Sequence, residues 1–135
     1  MPQPISAEEQ NRLLAAARTA QQRAYAPYSK FLVGAALLTE SGNVYTGCNV
    51  ENASYGLTNC AERTAIFSAV AAEGPSVKLR AVAVANAQNV ACSPCGACRQ
   101  VIYEFGPQAQ VTFQGEKDFI TMAAHDLLPS GFTLL

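Results

Sequence analysis

Apolar positions along this chain group into segments of helical or extended spacing, set apart by glycine and proline. From Ala7 to about Tyr25 a run rich in Ala, Leu, Gln and Arg is amphipathic around Leu13, Leu14 and Ala17, which predicts a helix. Ser6 and Glu9 have the spacing of a capping box, and Ala26-Pro27 reads as the stop. Phe31 to Leu38 and Val44 to Val50 read as strands on either side of Ser41-Gly42-Asn43, a turn of hairpin type that predicts antiparallel pairing.

Beyond the hairpin the period returns to helical. Asn59 with Glu62 is a second cap-like pair, and the helix it opens is expected to bury Ile66 and Phe67 and to run to Glu73, before Gly74-Pro75. LRAVAVA, Leu79 to Ala85, predicts a buried strand. Another helix follows Cys95 and stops at Phe105-Gly106-Pro107, and Gln110 to Phe113 is a short strand. The middle of the chain is therefore β-α-β-α-β, whose crossover helices imply parallel strands with right-handed connections. Phe119 to Met122 follows only Gly115-Glu116-Lys117, a link too short for a crossover, so this last strand forms a hairpin and the sheet is mixed. The expected architecture is α/β, a three-layer α/β/α arrangement around a mixed sheet of about five strands. Residues 1–135 read as one domain, without repeats, linkers or low-complexity segments.

Composition narrows the function classes. Half of the residues are hydrophobic and 14% are charged, a sparsely charged surface that favours self-association. Nine basic residues against ten acidic give a net charge of -1 with no Lys/Arg cluster, which argues against a nucleic-acid partner. The start MPQPISAEEQ has neither a basic end nor an apolar run, and no stretch approaches the ~20 residues of a membrane helix. The expectation is a cytoplasmic protein without a membrane partner. The five cysteines, Cys48, Cys60, Cys92, Cys95 and Cys98, are odd in number and crowded at their C-terminal end, which points to metal or redox chemistry rather than a disulfide framework.

Cys60 and the pair Cys95/Cys98 each follow a predicted strand and open a crossover helix, the edge of an α/β sheet where sites form. Two cysteines three apart turn their sulfurs to one side of a first turn, and helix N-termini favour the thiolates a metal needs. Three converging thiolates are a zinc proposal, with the fourth position left for water in a catalytic site or closed by a protein ligand in a structural one. Glu62, two residues past Cys60, is placed to take a proton from such a water without being a ligand. The plainer readings are a closed structural site using Cys48 or Cys92 as fourth thiolate, a redox pair at Cys92 and Cys95, and a Glu62 that only caps its helix. His125 lies in MAAHDLLP, outside these motifs, and reads as an ordinary surface or interface residue.

YSKFLVGAAL at 28–37, GCNVENASYG at 47–56, NCAERTA at 59–65, SPCGACRQVI at 93–102 and LLPSGF at 127–132 together resemble the zinc-dependent cytidine deaminases, in their small homotetrameric type. The match is to the three-cysteine form of the zinc-deaminase signature and runs over nearly the whole chain. The resemblance implies hydrolytic deamination of cytidine and 2′-deoxycytidine in pyrimidine salvage, by attack of metal-activated water on C4 of the base. It makes Cys60, Cys95 and Cys98 the ligands of one zinc per subunit and Glu62 the proton shuttle to N3 and to the departing ammonia. Arg63 would lie against the ligand sulfurs, where a guanidinium offsets the charge of about -1 that three thiolates leave on Zn²⁺. By the same resemblance Asn49 and Glu51, two apart in an extended segment and so on one face, would bind the ribose. Phe31 would line or stack on the base, the backbone of Ala61 would meet its edge, and Tyr55 and Phe132 would arrive from neighbouring subunits of a homotetramer with shared sites. LLPSGF also resembles the deaminases of blasticidin S, a runner-up for which a modified cytosine nucleoside is the substrate.

Overall fold

In the computed structural model, which describes residues 4–135, helix α1 (Ala7–Gln21) precedes the strands β1 (Val33–Thr39) and β2 (Val44–Cys48). A 3-10 turn at Tyr55–Leu57 leads into α2 (Ala61–Glu73), followed by β3 (Leu79–Asn86), α3 (Gly96–Phe105), β4 (Gln110–Gln114), β5 (Phe119–Ala123) and α4 (Ala124–Leu127). The five strands form one sheet in the order β2-β1-β3-β4-β5. β1 is antiparallel to both β2 and β3, so those two run the same way, and β3 pairs in parallel with β4. α2 and α3 are thus the expected crossover helices, and β5 folds back antiparallel on β4 to make the sheet mixed.

The layers follow from the period of two along the strands. Ala35, Leu37, Val82 and Val84 face α2 and α3, where Ile66 and Ile102 meet them. The alternate residues Ala36, Leu38, Ala81 and Ala83 face Leu13 and Ala17 of α1. Leu13, Leu37, Leu38, Ile66 and Ile102 are almost fully buried, each contributing about 1.5–3 kcal/mol by leaving water.

α1 opens with the expected capping box: Ser6 Oγ accepts from the Glu9 amide at 3.0 Å and Glu9 Oε1 accepts from the Ser6 amide at 3.1 Å. The helix stops at Gln21, short of the expected Tyr25. Tyr25 is instead tied to the segment after β2, its amide donating to the Asn49 carbonyl at 3.0 Å and its carbonyl accepting from the Glu51 amide at 2.8 Å. β2 itself ends at Cys48 rather than Val50, which forms only isolated bridges to Tyr25 and Asn59. In α2, Ile66 is buried but Phe67 is 49% exposed, against expectation, because consecutive helical residues point about 100° apart and cannot both face the sheet. The helix ends as expected before Gly74, whose φ of 88° lies in the left-handed region.

Gly47 lets α2 lie directly on β2. A Cβ there would stand 2.4 Å from the Ala65 nitrogen and 2.7 Å from the Ala61 carbonyl oxygen, both backbone atoms that cannot step aside singly. Gly47→Ala is expected to cost about 1–3 kcal/mol and to lower the thermal midpoint by several degrees. An unchanged midpoint in a melting experiment would mean that the first turns of α2 shift without penalty.

Candidate active site

Two helix N-termini meet over one edge of the sheet. Cys60 is the N-cap of α2 and Cys95 the N-cap of α3, with Cys98 buried in the first turn of α3. Cys95 Sγ caps that turn by accepting from the Cys98 amide at 3.5 Å. The expected Asn59–Glu62 cap does not form, because Asn59 is engaged elsewhere. Its backbone pairs with Val50 and its side-chain amide donates to Thr64 Oγ1 at 3.2 Å.

The sulfurs of Cys60 and Cys95 are 3.8 Å apart, and those of Cys60, Cys95 and Cys98 all lie within 4.8 Å of one another. Zinc at about 2.3 Å from each sulfur in a tetrahedron requires sulfur separations of about 3.8 Å, so this donor set fits one zinc ion. Among the described residues no other His, Cys, Asp or Glu joins the cluster. Cys48 faces a separate cleft with Ala16, Thr19 and Thr64. Cys92 is held apart by backbone pairing with Gln114 on the edge of β4, its amide donating at 2.9 Å. The fourth thiolate of a closed structural site is therefore not assembled.

Charge at the cluster is matched to thiolate. Arg63 Nη2 donates to Cys60 Sγ at 3.2 Å, while its buried Nε lacks a hydrogen-bond partner. Donation from the Cys98 thiol, then from Arg63 and Cys95, outweighs burial and brings the Cys60 thiol down to about 5. Cys98 moves up in return, as the donor in that pair. Beside them Glu62, on the second residue of α2, is 5% exposed, and burial pushes its carboxyl up to about 7 before any ion's charge is counted.

A cavity of about 240 Å³ opens over this group. Phe31, Asn49, Glu51, Ala61 and Glu62 all line it together with Cys60 and Cys95, so most of the sequence-predicted residues share one space. Asn49 and Glu51 point to the same side, but each is anchored to its own chain. Asn49 Oδ1 accepts from the Val33 amide at 2.9 Å and its Nδ2 donates to the Phe31 carbonyl at 2.8 Å. Glu51 Oε1 accepts from the amides of Tyr28 and Ser29 at 2.9 and 3.1 Å, and Oε2 accepts from the Ser29 hydroxyl. Tyr55 and Phe132 are not brought to the cavity. Tyr55 is 76% exposed and meets Tyr28 edge-on, and Phe132, 65% exposed, is held by a bond from Gln100 Nε2 to its carbonyl. His125 stays on the surface of α4, its Nδ1 3.2 Å from Asp126.

Two residues at the site escape sequence reasoning: Ser29, which lines the cavity, and Arg99. Arg99 donates to the Pro94 carbonyl at 2.7 Å, the Ser93 hydroxyl at 3.0 Å and the Leu127 carbonyl at 3.0 Å. It staples the turn that presents Cys95 to the end of α4. Its place four residues after Cys95, on the same helix face, was the signal available.

The chain is similar in sequence and fold to known proteins. Residues 7–114 match the family model described as the cytidine and deoxycytidylate deaminase zinc-binding region. A cytidine deaminase of Sporosarcina psychrophila is 49% identical over 126 residues, 90% of either chain. A probable cytidine deaminase of Dictyostelium discoideum is 44% identical over 129 residues, covering 96% of this chain and 87% of its own. The crystal structure of cytidine deaminase from Burkholderia pseudomallei superposes with a TM-score of 0.83 at 52% identity, over 90% of this chain and 98% of that one.

Proposed function

The chain belongs to the cytidine and deoxycytidylate deaminase family, and from that membership we propose that it hydrolyses cytidine and 2′-deoxycytidine to uridine and 2′-deoxyuridine with release of ammonia. The observation that carries the reading is the buried Glu62 beside three converging sulfurs, with Glu62, Cys60 and Cys95 lining one small cavity. In this reading Cys60, Cys95 and Cys98 hold one zinc per chain, whose Lewis acidity makes a water molecule reactive near neutral pH.

The chain's own residues do the rest. Glu62 takes one proton from the water whose oxygen adds to C4 and delivers it to N3, where it stays. It then takes the second proton from that oxygen and passes it to the amine as the C4–N bond breaks, releasing ammonia and leaving the C4 carbonyl. Burial keeps that carboxyl away from competing bulk water. Arg63 holds Cys60 as a thiolate. Phe31 and the first backbone turn of α2 at Ala61 border the base, while Asn49 and Glu51 receive the sugar hydroxyls. Large apolar side chains left in water, Tyr55, Leu57 and Phe132 among them, support a homotetramer in which Tyr55 and Phe132 complete a neighbour's site. No described helix is long and apolar enough to cross a membrane. We place the enzyme in cytoplasmic pyrimidine salvage, as one domain over residues 1–135.

Ultraviolet absorbance of cytidine mixed with the purified protein tests this directly, with zinc assayed per chain. The expected result is conversion to uridine with about one zinc bound. Inert cytidine but deaminated blasticidin S would move the substrate to a modified nucleoside, and zinc-loaded protein inert to both would leave only a structural zinc module.

A further inference from the structure

We infer that Ser29 is a positioning residue for the sugar side of the site, its hydroxyl setting the Glu51 carboxylate and the Phe31 backbone in place before substrate arrives. The inference rests on the deaminase reading above and adds a residue to it.

The Ser29 hydroxyl donates to Glu51 Oε2 and accepts from the Phe31 amide at 3.0 Å. One side chain thus joins Phe31 to Glu51, which lies 22 positions after Ser29, and both residues line the cavity. The amides of Tyr28 and Ser29 hold the other carboxylate oxygen. A carboxylate offers about four acceptor positions. With two amides on Oε1 and one hydroxyl on Oε2, a single position on Oε2 is left, and Ser29 decides where it points.

The loop that carries Ser29 is itself held against its preference. Lys30 has φ of 62°, a conformation L-residues avoid, in a turn where its amide donates to the Ala26 carbonyl at 3.0 Å. The three bonds to Glu51 tie this turn to the segment after β2. Losing the hydroxyl frees Oε2 and leaves the Phe31 amide without its acceptor. Contacts to the sugar that are as strong in the ground state as in the transition state move KM rather than kcat when disturbed, and the inference assigns Ser29 to contacts of that kind.

A double-mutant cycle on the zinc-loaded enzyme with cytidine tests this, using Ser29→Ala, Ser29→Thr, Glu51→Ala and Ser29→Ala with Glu51→Ala. Ser29→Ala is expected to raise KM roughly five- to tenfold with kcat within about twofold, and Ser29→Thr to restore most of the loss. In the Glu51→Ala background, itself raised in KM, the serine substitution should change KM by less than about twofold. KM unmoved by Ser29→Ala, or moved equally in both backgrounds, would overturn the inference. A parent enzyme inert toward cytidine would overturn the cytidine reading and this inference with it, whereas an active parent with an unresponsive Ser29→Ala overturns this inference alone.

Discussion

Replacing Glu62 with alanine is expected to remove nearly all deamination of cytidine, by 10²-fold at the least and about 10⁴-fold at the upper end of general acid–base effects, while zinc stays near one per chain. The separation of the two readouts follows from geometry. Glu62 sits on the second residue of α2 beside the three sulfurs, yet it is not one of the cluster's converging ligand atoms. Its removal therefore leaves the donor set intact and takes away the group that carries the proton. The loss should fall on kcat, since a proton in flight is a feature of the transition state, with KM for cytidine little changed. Glu62→Gln keeps the volume of the buried side chain and lacks the basic oxygen, so it should fail in the same way. Unimpaired turnover in either variant would refute the role, and a parallel loss of zinc would recast Glu62 as part of the metal's support.

Local signals were enough for the frame of the molecule and for the atoms at its chemical centre. A capping box, a hairpin turn, two glycine-proline stops and a link too short for a crossover yield the mixed sheet, because each is a property of a few consecutive residues. The three sulfurs meet for a similar reason: the β-α-β-α-β order puts two helix entrances on one sheet edge. What stayed hidden depends on partners far along the chain. Nothing in the run to Tyr25 says that its amide will prefer the Asn49 carbonyl to another helical turn. Asn59 has the composition of a cap but is occupied by Val50, which hands the position to Cys60. Asn49 and Glu51 read as free sugar ligands, whereas each is oriented by backbone groups of the loop and strand that precede β2. The setting of these two side chains is thus a tertiary property, and Ser29 carries no local mark of it.

The second large effect concerns the metal. Cys98→Ala is expected to weaken zinc retention by more than the ~10–100-fold that follows when only a ligand's supporting partner is lost, and to remove activity with it. Cys98 is fully buried in the first turn of α3, its sulfur within 4.8 Å of those of Cys60 and Cys95, and Arg63 adds a positive charge at Cys60. Two sulfurs cannot hold the tetrahedron that three define, and the guanidinium then faces a cluster with less charge to balance. Cys92→Ala supplies the contrast. Cys92 borders the cavity from the far side of the edge pairing with Gln114 and lies outside the converging group, so its loss should leave zinc near one per chain. Metal analysis after exhaustive dialysis decides between the two arrangements. Zinc lost from Cys92→Ala and Cys98→Ala alike would mean a closed four-sulfur site, with no coordination position for water and no role for Glu62 as a proton carrier. Zinc lost from Cys98→Ala alone would mean a three-sulfur site, which Cys60, Cys95 and Cys98 would hold and whose remaining position a water could take.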